Sequence, residues 1–88
     1  MVRVPLTPGQ LEAGRRLGAL LRDARDGRDP AAVARTAGIS PETLRKIEAG
    51  RMPSPSFGTV VGLCDALQIP IETVARTWLQ TVNEPAGC

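Results

Sequence analysis

One dipeptide pattern recurs along the chain: a residue whose side chain accepts hydrogen bonds, followed by proline. It occurs at Thr7-Pro8, Asp29-Pro30, Ser40-Pro41 and Ser54-Pro55. The pattern is typical of helix starts, because the acceptor caps an unpaired backbone N–H and proline has no N–H to lose. Together with a fifth start near residue 71, the pairs divide the chain into predicted helices at 8–26, 30–36, 41–49, 55–67 and 71–82.

Apolar residues recur at helical spacing inside these segments, and no segment shows the alternation of a strand. The predicted buried residues of the first three helices are Leu17, Leu20, Leu21 and Ala24; Val33, Ala34 and Ala37; and Leu44 and Ile47. The apolar stripes of the last two helices are Phe57, Val60, Val61, Cys64 and Leu67, and Ile71, Val74, Ala75, Trp78, Leu79 and Val82. The sequence therefore predicts an all-α, five-helix domain over residues 1–82, with a helix-turn-helix at about 29–50 and a flexible tail at 83–88.

The residue content argues against an enzyme. The chain has 88 residues, no histidine and two cysteines, Cys64 and Cys88. A domain this small has little room for a catalytic cavity, and histidine is the commonest general base and metal ligand. Two distant cysteines make neither a metal motif nor a disulfide framework. We therefore expect no catalytic residues, no cofactor and no metal site.

The apolar segments of the chain are short. None approaches the ~20 residues that span a bilayer, and the opening residues lack the apolar stretch of a secretory signal. We expect no membrane partner and a protein that stays in the cytoplasm, on the nucleoid when it is bound to DNA.

The formal charge is unevenly distributed. Residues 1–51 hold ten basic and six acidic residues, a net charge of +4, whereas residues 52–88 hold one basic and three acidic residues, a net charge of −2. A basic region favours an anionic partner. The first half of the chain is therefore predicted to face the anion, and the second half to serve another purpose.

Residues 33–47 have the pattern of two short helices that cross at a steep angle. Ala34 is small where the next helix must cross closely, and Gly38 can adopt the left-handed conformation of the turn. Ile39, Leu44 and Ile47 can fill the wedge between the helices. This set, followed by a capped helix in a basic half, favours a DNA-binding helix-turn-helix over an ordinary helical corner.

The helix at 41–49 has a predicted outer face. At about 100° per residue, Glu42, Arg45 and Lys46 point away from the buried Leu44 and Ile47. Arginine and lysine can donate to guanine O6 and N7, and glutamate can accept from cytosine N4. Glu42 is equally well explained as a first-turn carboxylate that stabilises the helix dipole.

Two hydroxyl residues lie at the edge of this face. Ser40 caps the helix and Thr43 borders the outer residues, so both are predicted to contact phosphate or sugar. Glu48 falls near the core, where a lone carboxylate needs a partner. We hypothesise an ion pair between Glu48 and Arg22 on the first helix.

These residues resemble the Cro and phage-repressor-like helix-turn-helix family, also called the Xre family. The resemblance covers about residues 17–75 and is most specific over 44–50, where Leu-Arg-Lys-Ile-Glu-Ala-Gly is similar to the family's IxxIExG. It implies a lambda-repressor-like fold of five helices, with the third helix in the major groove and frequent dimers on a palindromic operator. It also implies the Arg22–Glu48 pair.

The resemblance also implies site residues. Pro41, Glu42, Arg45 and Lys46 match base-reading positions, and Arg51 and Ser56 match backbone-contacting positions after the recognition helix. Two departures concern the phosphate contacts. Pro30 replaces the glutamine that often opens the second helix, and the turn at 26–29 is one residue longer, which lets Arg28 reach a phosphate instead.

The last helix carries the only tryptophan, Trp78, and its stripe continues through Leu79 and Val82. These residues either close the core or form a dimer or partner surface, with equal weight. A homodimer suits a DNA-binding domain of this size, because one copy contacts only about half a DNA site.

Three functions fit the sequence. The first is a transcriptional regulator, a repressor on double-stranded operator DNA. The second is the antitoxin of a toxin–antitoxin pair, which autoregulates its operon and binds a toxin; the lack of a long tail weighs against it. The third is a protein-interaction adaptor without DNA binding, which has no need for Arg45, Lys46 and Arg51 on one side.

Overall fold

The computed structural model describes residues 5–84, which form five helices and no strand. The helices are α1 (Pro8–Arg25), α2 (Pro30–Ala37), α3 (Pro41–Glu48), α4 (Phe57–Leu67) and α5 (Ile71–Val82). The all-α, five-helix prediction is confirmed. Residues 85–88 of the predicted tail lie outside the described residues. None of the described helices combines the length and apolar character needed to cross a membrane.

The predicted helix starts hold at three of the four proline pairs. In the capping box of α1, Thr7 Oγ1 accepts from Gln10 N at 3.1 Å and Gln10 Oε1 accepts from Thr7 N at 2.9 Å. Asp29 and Ser40 cap α2 and α3. Proline at the first position therefore marks the start of α1, α2 and α3.

The predicted start of α4 at Pro55 is wrong. Ser56 is extended and its Oγ accepts from Thr59 N at 3.2 Å, so Ser56 caps the helix and Phe57 opens it. Ser54 and Pro55 remain in the preceding loop.

All five helices contribute to one core. Its buried members are Leu17, Leu21, Val33, Ala34, Leu44, Ile47, Leu63, Cys64, Leu67 and Val74. Leu63, fully buried, is the member that the sequence pattern does not predict. α1 packs along α5 and across α3, while α2 packs against α3 and α4. α3 is therefore held from two sides, by α1 and by α2.

The predicted apolar stripes of α4 and α5 are only partly buried. Phe57 is 76% exposed, Leu79 is 56% exposed, and Val61 and Ile71 are each 40% exposed. Thr81 is buried instead, with its hydroxyl donating to Thr77 O at 2.8 Å. Phe57, Val61 and Ile71 are therefore not core residues, and of the two roles predicted for Leu79, closing the core does not fit this exposure.

Candidate nucleic-acid interface

The turn between α2 and α3 has the predicted geometry. Gly38 has φ +81°, the left-handed conformation that ends α2. Ile39 N donates to Ala34 O at 2.9 Å across this turn. Ser40 then resumes an extended conformation, and its Oγ accepts from Thr43 N at 3.1 Å. The tight turn sets the angle at which α3 leaves α2.

Two buried residues and one glycine fix α3 to the rest of the domain. Leu44 and Ile47 are each 1% exposed and point into the core. On α1, a Cβ added at Gly18 would lie 2.3 Å from Ile47 O, far inside van der Waals contact. The backbones of α1 and α3 therefore touch directly, and only glycine permits this approach.

Glu48 is held by Arg25, and the predicted pairing with Arg22 is wrong. Arg25 Nε donates to Glu48 Oε2 at 2.8 Å and Arg25 Nη2 donates to Glu48 Oε1 at 3.1 Å. The two side chains are 17% and 11% exposed. Hydrogen bonding to the Glu48 carboxylate raises the pKa of Arg25 above its ordinary value. This two-point contact ties the end of α3 to the end of α1.

The spacing on α1 explains the choice of arginine. Leu17, Leu21 and Arg25 follow one another at intervals of four, so Arg25 continues the buried face of the helix. Arg22 lies about 100° further round than Leu21 and is exposed. This interval was the signal in the sequence that could have identified Arg25.

The structure brings the predicted base-reading residues together on one exposed face of α3. Pro41, Glu42, Arg45 and Lys46 are all exposed, whereas the opposite face is buried. Within residues 5–84, no carboxylate forms a salt bridge with Arg45 or Lys46. The face therefore offers two cationic donor groups and one carboxylate acceptor.

Of the predicted backbone contacts, Ser40 and Thr43 lie side by side at the amino end of α3. Their hydroxyl oxygens are 2.8 Å apart. Arg51 lies just beyond the other end of the helix, where its backbone N donates to Lys46 O at 2.9 Å and its side chain is exposed. Both ends of α3 thus carry polar groups suited to phosphate.

Ser56 and Arg28 already have partners inside the chain. Ser56 Oγ donates to Thr59 Oγ1 at 2.9 Å as part of the α4 cap. Arg28 Nη2 donates to Ala24 O at 3.2 Å and Arg28 Nε donates to Arg25 O at 3.3 Å. Arg28 therefore caps the carboxyl end of α1, and a phosphate contact would have to compete with these two bonds.

An apolar groove lies between α4, α5 and the loop before α4. It is lined by Leu17, Ser54, Pro55, Phe57, Val60, Ile71, Val74, Ala75, Trp78 and Leu79, and its volume is about 350 Å³. Trp78 and Leu79 of the predicted partner surface line this groove. Val82 does not, and its backbone lies beside Gly9 at the start of α1.

The comparisons with known proteins identify the family of the chain. No curated protein matches it. A family model described as a helix-turn-helix domain matches residues 12–77, which include all of α2, α3 and α4. The match is consistent with the resemblance to Xre-like regulators. The chain therefore belongs to the helix-turn-helix domain family, and this membership indicates DNA binding.

Proposed function

We propose that the protein binds double-stranded DNA in a sequence-specific manner, with α3 in the major groove, and represses transcription by occupying an operator. The observation that carries this proposal is the division of α3 into two faces. Leu44 and Ile47 are each 1% exposed, while Glu42, Arg45 and Lys46 are exposed on the other side. A rigidly held helix with free cationic donors suits readout of base edges.

The residues have separate roles in this proposal. Arg45 and Lys46 donate to purine acceptors, and Glu42 accepts from cytosine N4. Pro41 contributes only an apolar contact, so specificity rests on fewer direct hydrogen bonds than four polar positions would provide. Ser40, Thr43, Arg51, Ser56 and Arg28 contact the sugar-phosphate backbone on either side.

Selection from a random duplex library tests the proposal. Sequence-specific binding predicts enrichment of a short motif, and its affinity should fall steeply as salt concentration rises because phosphate contacts release counterions. If the protein enriches no motif, or binds no duplex at low salt, the proposal is wrong.

A homodimer is part of the proposal, and the apolar groove supports it. Phe57 and Leu79, 76% and 56% exposed, place large apolar side chains in water at the groove. The molecule measures 38 × 30 × 19 Å. These dimensions are similar to the spacing of about 34 Å, one turn of DNA, at which a dimer places its two recognition helices.

The charges on α5 suit an antiparallel contact with the same helix of a second copy. Glu72 and Arg76 are exposed one turn apart, next to the groove-lining Ile71 and Ala75. Neither forms a salt bridge within the described part of the chain. In an antiparallel pair, Glu72 of each copy faces Arg76 of the other, and the groove residues of both copies are covered.

The groove also supports a second candidate function, that of an antitoxin. An apolar surface of this kind can receive a toxin as well as a second copy. In that case α3 still binds the operator and the protein autoregulates its operon. Co-expression of the neighbouring gene product, followed by size-exclusion chromatography, separates the two: a stable heterocomplex supports the antitoxin, and a homodimer alone supports the repressor.

A further inference from the structure

A second cleft lies between α1 and α3, on the opposite side of the recognition helix from Thr43. It is lined by Arg22, Arg25, Arg45, Glu48 and Ala49, with a volume of about 270 Å³. Two of these residues, Arg22 and Arg25, come from α1, and the others come from the end of α3. The sequence pattern had assigned Arg22 to an ion pair that the structure does not contain.

The cleft carries positive charge that the protein does not neutralise. Arg25 and Glu48 satisfy each other through two hydrogen bonds, at 2.8 and 3.1 Å. Arg22 and Arg45 are both exposed, and across residues 5–84 neither makes a salt bridge. Three arginines against one glutamate leave a net charge of +2. The ligand chemistry that fits is therefore an anion.

The dimensions of α3 and DNA indicate which anion reaches the cleft. A helix with its side chains is about 10–12 Å across, and the major groove is about 12 Å wide. A helix in the groove therefore has a sugar-phosphate strand against each flank. Glu48 and Arg45 lie on the flank of α3 that faces α1, and Gly18 lets α1 approach this flank closely. With α3 in the groove, the cleft and its Arg22 lie on the side of one of these two strands.

We propose that this cleft binds a backbone phosphate of the DNA, with Arg22 as the main contact. The inference rests on the proposed function, since it requires α3 to lie in the major groove. The planar guanidinium of Arg22 donates two hydrogen bonds to the two free phosphate oxygens. Glu48 holds Arg25 as one wall of the cleft. Arg45 borders both the cleft and the base-reading face, so the bound phosphate is the one beside the base that Arg45 reads.

Arg22→Ala on the enriched duplex is the first test. Loss of one charge-assisted phosphate contact is expected to weaken binding about tenfold, by the same factor on every duplex. The slope of log affinity against log salt should become shallower by about one phosphate's contribution, ~0.9. Arg16→Ala is the matched control, because Arg16 lies on α1 with the same charge but pairs with Glu12 and Glu84. The control should bind like the wild-type protein.

A scan of the duplex with neutral methylphosphonates locates the contact. Replacing one particular phosphate in each half-site should weaken the wild-type protein and leave Arg22→Ala unaffected. The inference is overturned if Arg22→Ala binds with wild-type affinity and salt slope, or if no methylphosphonate loses its effect in this variant. Either result leaves the proposed function intact as long as the wild-type protein still enriches a motif. Failure of the wild-type protein to enrich one overturns both. The thermal midpoint of Arg22→Ala confirms folding.

Discussion

Two helix contacts of the domain differ in the kind of side chain that they bury and expose. At the contact of α1 with α3, helix backbones touch at Gly18 and the charged residues Arg25 and Glu48 are 17% and 11% exposed. At the contact of α4 with α5, the apolar residues Phe57 and Leu79 are left 76% and 56% exposed. The α1–α3 contact fixes the position of α3, whereas the α4–α5 contact leaves an apolar surface exposed to solvent.

This difference separates internal stability from binding. Residues at the α1–α3 contact should determine the free energy of unfolding, because they are buried and make contacts that no other residue can replace. Residues at the groove should affect unfolding little and association strongly. Substitutions at the α1–α3 contact and at the groove test whether the first determines stability and the second determines association.

The largest effect is expected at Gly18. An alanine Cβ there would lie 2.3 Å from Ile47 O and 2.8 Å from Glu48 O, both backbone atoms. Gly18→Ala should therefore push α3 away from α1 and lower the free energy of unfolding by about 3 kcal/mol. Urea denaturation measures this loss.

Gly58→Ala provides the matched control for that substitution. Apart from its chain neighbours and the backbone of α4 itself, no atom lies within 4 Å of a Cβ added at Gly58. This variant should be unchanged or more stable by up to about 1 kcal/mol, since alanine has the better helix propensity. Equal losses from the two substitutions would contradict the close α1–α3 contact.

The Arg25–Glu48 pair should give the next largest effect. Removing either partner leaves a mostly buried charge without its counterion, so Arg25→Ala or Glu48→Ala should cost about 2 kcal/mol. A double-mutant cycle should show coupling of about 1 kcal/mol or more. The corresponding cycle between Arg22 and Glu48 should be additive, and strong coupling there would reinstate the pairing expected from the sequence.

Substitutions in the apolar groove should change dimerisation more than the free energy of unfolding. Leu79→Ser removes an exposed apolar residue, so the stability of the dilute monomer should change by less than about 1 kcal/mol. Dimerisation, measured by light scattering or sedimentation, should weaken at least tenfold. A large loss of monomer stability, or a protein that is monomeric both free and on its operator, would contradict the proposed surface.

Charge reversals on α5 test whether two copies pair antiparallel through this helix. Glu72→Arg and Arg76→Glu should each weaken the dimer by placing like charges opposite each other. The double variant should recover much of the loss, since the two charges are exchanged. No recovery would mean that α5 does not pair antiparallel with its copy.

The smallest effect is expected for the ion pair between α1 and the end of α5. Arg16 Nη1 lies 3.0 Å from Glu84 Oε1, a distance similar to that of the Arg25–Glu48 pair, but the side chains are 47% and 50% exposed. Glu84→Gln should cost less than about 0.5 kcal/mol in thermal unfolding. A larger loss would show that exposure does not separate the two ion pairs.

The sequence predicts the region around α3 well because its signals are local. A cap at Ser40, a turn at Gly38 and two apolar residues, Leu44 and Ile47, each follow from chemistry within one or two helical turns. The structure shows all of these features. The predicted base-reading residues Pro41, Glu42, Arg45 and Lys46 therefore come together on one exposed face.

The sequence-based predictions that the structure corrects concern features that depend on packing between distant segments of the chain. Ser54 and Ser56 are both reasonable caps, and the sequence alone favours Ser54 because proline follows it. Whether Phe57 and Leu79 are core residues depends on how much surface the other helices already cover, which periodicity along one helix does not reveal. The sequence identifies Glu48 as a carboxylate that needs a partner on α1, and the interval between Leu21 and Arg25 could have identified Arg25 as that partner.

The proposal that the exposed face of α3 reads DNA sequence is tested most directly by a ratio of affinities. The affinity for the enriched duplex, divided by that for a scrambled duplex, should be measured for the wild-type protein, Arg45→Ala and Lys46→Ala. The account predicts that each substitution lowers this ratio about tenfold or more, since a good base contact contributes about 1–3 kcal/mol of discrimination. A ratio that stays at the wild-type value in both variants would contradict it.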